Sequence, residues 1–152
     1  MLCLVAGMIL KNKDGKYLVT YRSKKPLGLS FPSFHLASKQ PGNVLIDAAI
    51  EFSKRAELDI GIKPIHVRRL GSIICQHHCR FWLPLIQIDI HEWIIYEVVS
   101  FRGEPHNLNP EKYASIDYLT GKEILSAARG DGFDPVWKNI LASSNLKNLI
   151  SP

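Results

Sequence analysis

The sequence predicts an α/β domain, in which strands form a sheet and a few amphipathic helices cover it. Three observations carry that reading. Leu45, Ala48, Ala49, Phe52 and Ala56 recur at helical spacing, so a central helix buries one face. Apolar, β-rich runs flank this helix on both sides, beginning with Leu2 to Leu10. Two more helices near the end of the chain carry start signals, at Thr120 and at Asp134-Pro135.

A chain of 152 residues is sized for one domain, 1–152, with room for a proper core. Apolar residues at 46% and charged residues at 22% are ordinary globular values, and no repeat or low-complexity stretch interrupts them. Lysines and arginines exceed acids by 19 to 14, a net charge of +5 that favours anionic partners such as nucleotides or nucleic acid. A basic solvated surface accounts for the same charge. Cys3, Cys75 and Cys79 are too few and too odd in number for a disulfide scaffold, and suit a reducing cytosol. A cytoplasmic location is therefore expected. No segment offers the roughly 20 apolar residues of a membrane span, so no membrane partner is expected. The opening MLCLVAGMIL lacks a basic n-region and reads as a strand, not as a signal peptide.

Asp14-Gly15, between Leu10 and the run Tyr17 to Tyr21, is a strong hairpin signal, because both residues tolerate positive φ. Phe31 opens an apolar strand end that leads into a loop holding Pro41-Gly42-Asn43, with Asn43 as the N-cap of the central helix. On that helix Asp47, Glu51, Lys54 and Arg55 fall largely on the wet face, and Gly61 and Pro64 end it. Strands are expected over Ile65 to Cys75, Phe81 to Ile90, Trp93 to Phe101 and Tyr113 to Tyr118, with Pro84 starting or kinking the second.

Cys75-Gln76-His77-His78-Cys79 has metal-ligand chemistry. A structural zinc site wants four ligands, however, and no second pair follows, so a polar loop between strands is expected there. Thr120-Gly121-Lys122-Glu123 is a capping box. Asp134-Pro135 sets an acid at the N-cap and proline at the first helical position of the last helix, whose apolar face is Val136, Trp137, Ile140 and Leu141.

Three stretches together resemble the Nudix hydrolases, in particular MutT-like members. LVAGMILKNKDGKYLVTYRSKKP, Leu4 to Pro26, is similar to the usual Nudix opening. VVSFRGEPHNLNPEKYASIDYL resembles the strand, Gly-Glu-Pro turn and next strand of that family, and Phe31 to Ile62 stands where its signature box lies. The resemblance covers nearly the whole chain and implies a Nudix-type α/β/α sandwich with a mixed sheet.

The family box runs Gly, five residues, Glu, seven residues, Arg-Glu-apolar-x-Glu-Glu-x-Gly-apolar. Anchored on Gly42, it sets Glu51-Phe52 against Arg-Glu, Arg55-Ala56 against Glu-Glu and Leu58 at the closing glycine. Slipped, with Ala56-Glu57 against Glu-Glu, it keeps Glu57 alone. Both registers lose metal-binding glutamates, giving a degenerate box. Magnesium wants oxygen ligands, and a cation such as Arg55 in a ligand position would repel it.

The resemblance implies which residues to watch. Arg22, Lys39 and Arg55 offer positive charge to a pocket between the sheet and the Phe31–Asn43 loop. Phe34 and Trp137 join them as ligand-binding candidates, Trp137 because MutT-like members contact the base from this part of the last helix. Glu51, Glu57, Glu97 and Glu111 are the weak catalytic candidates, since some members draw a metal ligand or base from outside the box; Glu104 lies in the same region. Trp82, Trp93 and Phe101 are further surfaces on which a base can stack. A core position is the ordinary reading of each tryptophan, and a solvated turn that of Glu104 and Glu111.

The leading expectation is a Nudix-fold nucleotide- or partner-binding module without standard hydrolase activity and without a cofactor. Its ligand would be a nucleotide or nucleoside diphosphate derivative, or else a protein partner, a homodimer included. The alternative is a hydrolase of nucleoside diphosphate derivatives with a non-standard magnesium site. A third reading is a scaffold whose cleft is plugged by Phe34 and Phe52. Fold alone does not choose, because function belongs to the site.

Overall fold

The structure is a computed structural model that describes residues 2–24, 27–36, 44–77, 89–143, 146 and 148–152, with the backbone alone for 2–3, 44–47, 76–77 and 89–90. Its elements are β1 (Leu2–Ile9), β2 (Tyr17–Arg22), β3 (Gly28–Ser30), β4 (Ser33–Leu36), α1 (Val44–Ile60), β5 (Lys63–His77), β6 (Asp89–Arg102), β7 (Tyr113–Leu119), α2 (Gly121–Ala128) and α3 (Pro135–Ala142). One sheet has the order β4-β1-β6-β5 and is mixed: β1 runs parallel to β6, and the other pairs are antiparallel. The second sheet, β3-β2-β7, is antiparallel throughout.

Successive side chains of a strand point to opposite faces, and this alternation splits the core in two. Leu4, Ala6, Met8, Ile94, Tyr96 and Val98 face α1, where Ala48, Phe52, Ala56 and Ile60 meet them. Val5, Ile9, Trp93 and Ile95 face the other way, toward Ile124 of α2 and Trp137 and Ile140 of α3. Helices thus cover both faces of a mixed sheet. None of the described helices is long and apolar enough to cross a membrane.

The buried stripe of α1 follows the spacing read in the sequence. Phe52 is its anchor: the ring stacks on Tyr96 at 4.9 Å between centroids and lies 5.8 Å from Phe34. Asn43 and the side chains of Leu45 and Asp47 lie outside the described residues. The helix stops at Gly61, whose φ of +76° suits the residue just past a helix end, and whose N–H donates to the Glu57 carbonyl at 3.1 Å. Gly7 matters for a different reason. A Cβ there would lie 2.6 Å from the Trp137 ring, so β1 offers bare backbone to the indole.

The Asp14-Gly15 turn forms as expected, with Gly15 at φ +76° and Asn12 Oδ1 accepting from the N–H groups of Asp14 and Lys16. Its two strands belong to different sheets, however, and the chain crosses between them near Leu10, whose carbonyl accepts from Leu18. Both C-terminal start signals are present. Thr120 and Glu123 exchange their reciprocal bonds, and Asp134 accepts from Val136 N–H with Pro135 in the first turn.

Three strand expectations are corrected. β5 is longer than expected, with Pro64 already inside it. Cys75, Gln76 and His77 are strand and not loop, paired with His91, Ile90 and Asp89. β6 runs unbroken from Asp89, because its register with both β1 and β5 continues through His91 and leaves no turn before Trp93. His78, Cys79, Trp82, Pro84 and most of the strand expected at Phe81 to Ile90 lie outside the described residues.

Candidate anion-binding site

Charged side chains gather at the C-terminus of α1. The last carbonyls of a helix lack partners within it, and here the loop after β6 supplies them. His106 N–H donates to Ile60 at 2.9 Å and Leu108 N–H to Asp59 at 3.0 Å. Asn109 then closes a turn, its carbonyl accepting from Lys112 and Tyr113 N–H at 3.0 Å, and that turn delivers Lys112 beside the helix end.

Asp59 sits in the last turn of α1 and is 5% exposed. A carboxylate there faces the negative end of the helix dipole and is poorly placed without cations. Two are supplied. Lys112 Nζ lies 3.6 Å from Asp59 Oδ2, and Arg55 Nη2 lies 3.7 Å from the same oxygen. Both distances are longer than an ordinary hydrogen bond, so Oδ2 is held mainly by charge. Oδ1 accepts from Asn109 Nδ2 at 3.4 Å.

Lys112 is the hub. Its ammonium donates to the Ser33 carbonyl, and lies 4.8 Å from the centre of the Phe34 ring and 5.1 Å from that of Tyr113. Burial is the main cause that lowers its pKa to about 8; the Asp59 charge opposes the shift, while Arg55 and Arg22 add to it. The Tyr113 hydroxyl is pushed well above its ordinary value, first by burial and then by Asp59.

Arg22 completes the group from β2. A register shift between Tyr21 and Arg22 alters the strand where the guanidinium leaves it. Arg22 Nη1 lies 3.5 Å from Asp134 Oδ2, which also accepts from Ser30 Oγ at 3.3 Å. Asp134 therefore both caps α3 and anchors Arg22. The Nε atoms of Arg22 and Arg55 are buried without a hydrogen-bond partner.

The residues singled out in the sequence separate. Arg22 and Arg55 are brought together around Lys112; Lys39 lies outside the described residues. Arg55 pairs with Asp59 one turn later, and is half-buried instead of lying on the wet face. Phe34 and Trp137 are both 0% exposed, so neither presents an open ring face to a base. Trp137 is clasped between Phe31 and Trp93 at 4.7 and 5.8 Å, and its Nε1–H donates to Ser33 Oγ. Trp93 belongs to the same core, and Phe101 packs against the other one.

Among the described residues, no three of the carboxylate candidates come together. Glu57 is on the exposed side of α1, and Glu104 and Glu111 are exposed in the loop. Glu97 alternates with Tyr96 and Val98, so it faces away from α1, and it binds Arg68 through both carboxylate oxygens at 3.2 and 3.1 Å. Glu51 is half-buried on α1. The residues missed by sequence reasoning are Asp59 and Lys112. Asp59 had a signal, being next to Ile60 in the buried stripe and two residues before the helix-ending glycine. Lys112 had only its place beside Glu111.

This arrangement of two sheets and flanking helices is the fold of the Nudix hydrolases. The mutator MutT protein from Bacillus halodurans aligns over 96% of this chain and 84% of its own, with a TM-score of 0.66 and 10% identity. MutT from Aliivibrio salmonicida and Vibrio cholerae aligns over 93% and 98%, with a TM-score of 0.63 and 15% identity. An Ap4A hydrolase of Caenorhabditis elegans, solved as a binary complex, aligns over 85% and 86%, with a TM-score of 0.54 and 7% identity. No protein-family model and no curated protein matches the sequence, so the likeness is one of fold.

The divalent metal implied by this fold family does not fit the described residues. The buried carboxylate of α1 already faces two fixed cations. Among the described residues, no three His, Cys, Asp or Glu side chains come together as a ligand set.

Proposed function

We propose that this chain is a Nudix-fold module that binds a phosphate-bearing ligand, such as a nucleoside diphosphate derivative, through fixed cations and without magnesium-dependent hydrolysis. The observation that carries the reading is the position of Lys112. Its ammonium stands against the α1 carboxylate, 3.6 Å from Oδ2, and Arg55 lies 3.7 Å from the same oxygen. Arginine can grip a phosphate by two parallel charge-assisted hydrogen bonds, and lysine adds a point charge.

The end of the helix favours a further register for the box. With Gly61-Ile62 as its closing Gly-apolar pair, Lys54-Arg55 stands at Arg-Glu and Leu58-Asp59 at Glu-Glu. In that register Asp59 keeps one carboxylate, while Arg55 inverts the charge of another. The hydrolase alternative would need Glu51, Glu57, Glu97 or Glu111 to act together. Glu97 faces away from α1, and that weighs against it.

Thermal melting with ADP in the presence of a chelator tests the proposal. Wild type should melt at a higher temperature with ADP, and Arg55→Ala should lose most of the shift. Equal shifts in the two proteins, or none in wild type, would count against the cationic site.

A further inference from the structure

We infer that the chain forms a two-fold dimer by pairing residues 71–77 of β5 antiparallel with the same residues of a second copy. β5 is an edge strand: among the described residues it pairs with β6 alone. An edge offers N–H and C=O groups to any other chain, and folded proteins commonly block it with proline, charge or irregular register.

The two halves of β5 differ in this respect. Residues 63–70 carry every such device. Pro64 has no N–H to give, Lys63, Arg68 and Arg69 are charged, and all three register shifts against β6 fall between Pro64 and Gly71. From Gly71 onward none is present. The register with β6 runs unbroken from Gly71, opposite Ile95, to His77, opposite Asp89. This stretch has no proline, lysine, arginine or acid. Ile74 is the midpoint of its seven residues. It is 67% exposed, the highest value among the described large apolar side chains.

The position of Ile74 selects the occupant. In an antiparallel pair of identical segments, the residue on the two-fold axis meets its own copy. An axis at Ile74 matches residues 71–77 end to end, setting position 73 against 75 and 72 against 76. No lysine, arginine or acid then opposes another, which matters between copies that each carry a net charge of +5. An acidic peptide strand would find no lysine or arginine to meet, since those of β5 lie in the blocked half. An axis nearer Leu70 would draw the irregular stretch into the pair. The interface uses no residue of the cationic site, so it is tested apart from the ligand.

One strand pair is small for a protein interface, so the dimer should dissociate on dilution. Sedimentation velocity from micromolar to millimolar protein should show wild type passing reversibly from monomer to dimer. Ile74→Lys sets two ammonium groups against each other on the axis and should stay monomeric throughout. Ile65→Lys, at a 57% exposed position in the blocked half, should dimerise as wild type does. Directly opposed positions of an antiparallel pair lie within disulfide reach. Mild oxidation should therefore crosslink Ile74→Cys well beyond wild type and Ile65→Cys. A wild type that stays monomeric at millimolar concentration would overturn the inference. So would a dimer that Ile74→Lys leaves intact, that Ile65→Lys also abolishes, or that grows into larger assemblies. Should Ile74→Lys not fold, the disulfide decides: no more crosslinking in Ile74→Cys than in Ile65→Cys refutes the pairing.

Discussion

Lys112 and Asp59 form an ion pair at 3.6 Å across the junction between the central helix and the loop that follows β6, 53 positions apart in the chain. Neither is a core residue by type. Their meeting point is set by the backbone of the loop, which caps the helix end through His106 and Leu108. Charge chemistry at this junction therefore depends on a backbone contact, and a small change in the loop should be felt at the ammonium.

The pH dependence follows from Lys112. Burial lowers its pKa to about 8, against roughly 10.4 for an unfolded lysine. Below pH 8 both states hold the proton and the group adds no slope. Between about pH 8 and 10.4 the unfolded chain binds more protons than the folded one, so this group makes stability rise with pH. Denaturant melts at pH 7 and pH 9.5 should show wild type gaining stability relative to Lys112→Met. Over the same interval anion binding should weaken, because the ammonium loses its charge. A parallel change in the two proteins would remove Lys112 as the cause.

Gly61→Ala should destabilise the protein by about 2–3 kcal/mol, combining a left-handed backbone penalty with overpacking. The Cβ would lie 2.3 Å from the His106 ring, so the loop must move. Because that loop carries Lys112, ADP binding should weaken in the same variant. Chemical denaturation and titration on one preparation read both effects.

Gly7→Ala probes the opposite face. An added methyl 2.6 Å from the Trp137 ring has no room, and overpacking of this kind costs roughly 1–3 kcal/mol. Anion binding should weaken as well, since Trp137 bonds Ser33, whose carbonyl accepts from Lys112, and shares α3 with its N-cap Asp134, which anchors Arg22. Thr120→Ala is the milder control, with a loss of about 1 kcal/mol when the cap of α2 goes.

The sequence revealed what is local. The Asp14-Gly15 turn, the Thr120 capping box and the Asp134-Pro135 start depend on neighbours within four positions, and each is present. The stripe Ala48, Phe52, Ala56 was equally legible, because helical periodicity alone sets it. What depends on distant partners was not. Arg55 sits beside the buried stripe by spacing, but its burial depends on Asp59 and on a loop that arrives 50 residues later. Trp137 resembled a base-contacting residue, yet the bare backbone of Gly7 on β1 makes room for it in the core. The run Cys75 to His77 has the polar content of a loop, and pairing with β6 makes it strand.

The most direct test of the account is the ADP affinity of wild type measured by calorimetry, first in chelator and then in millimolar magnesium. Fixed cations do the work of a metal only if they hold the diphosphate unaided. The account predicts a saturable heat in chelator that magnesium leaves unchanged or weakens, because complexed ADP presents less charge to Arg55 and Lys112. An affinity that appears only with magnesium, accompanied by steady release of phosphate from ADP, would contradict it.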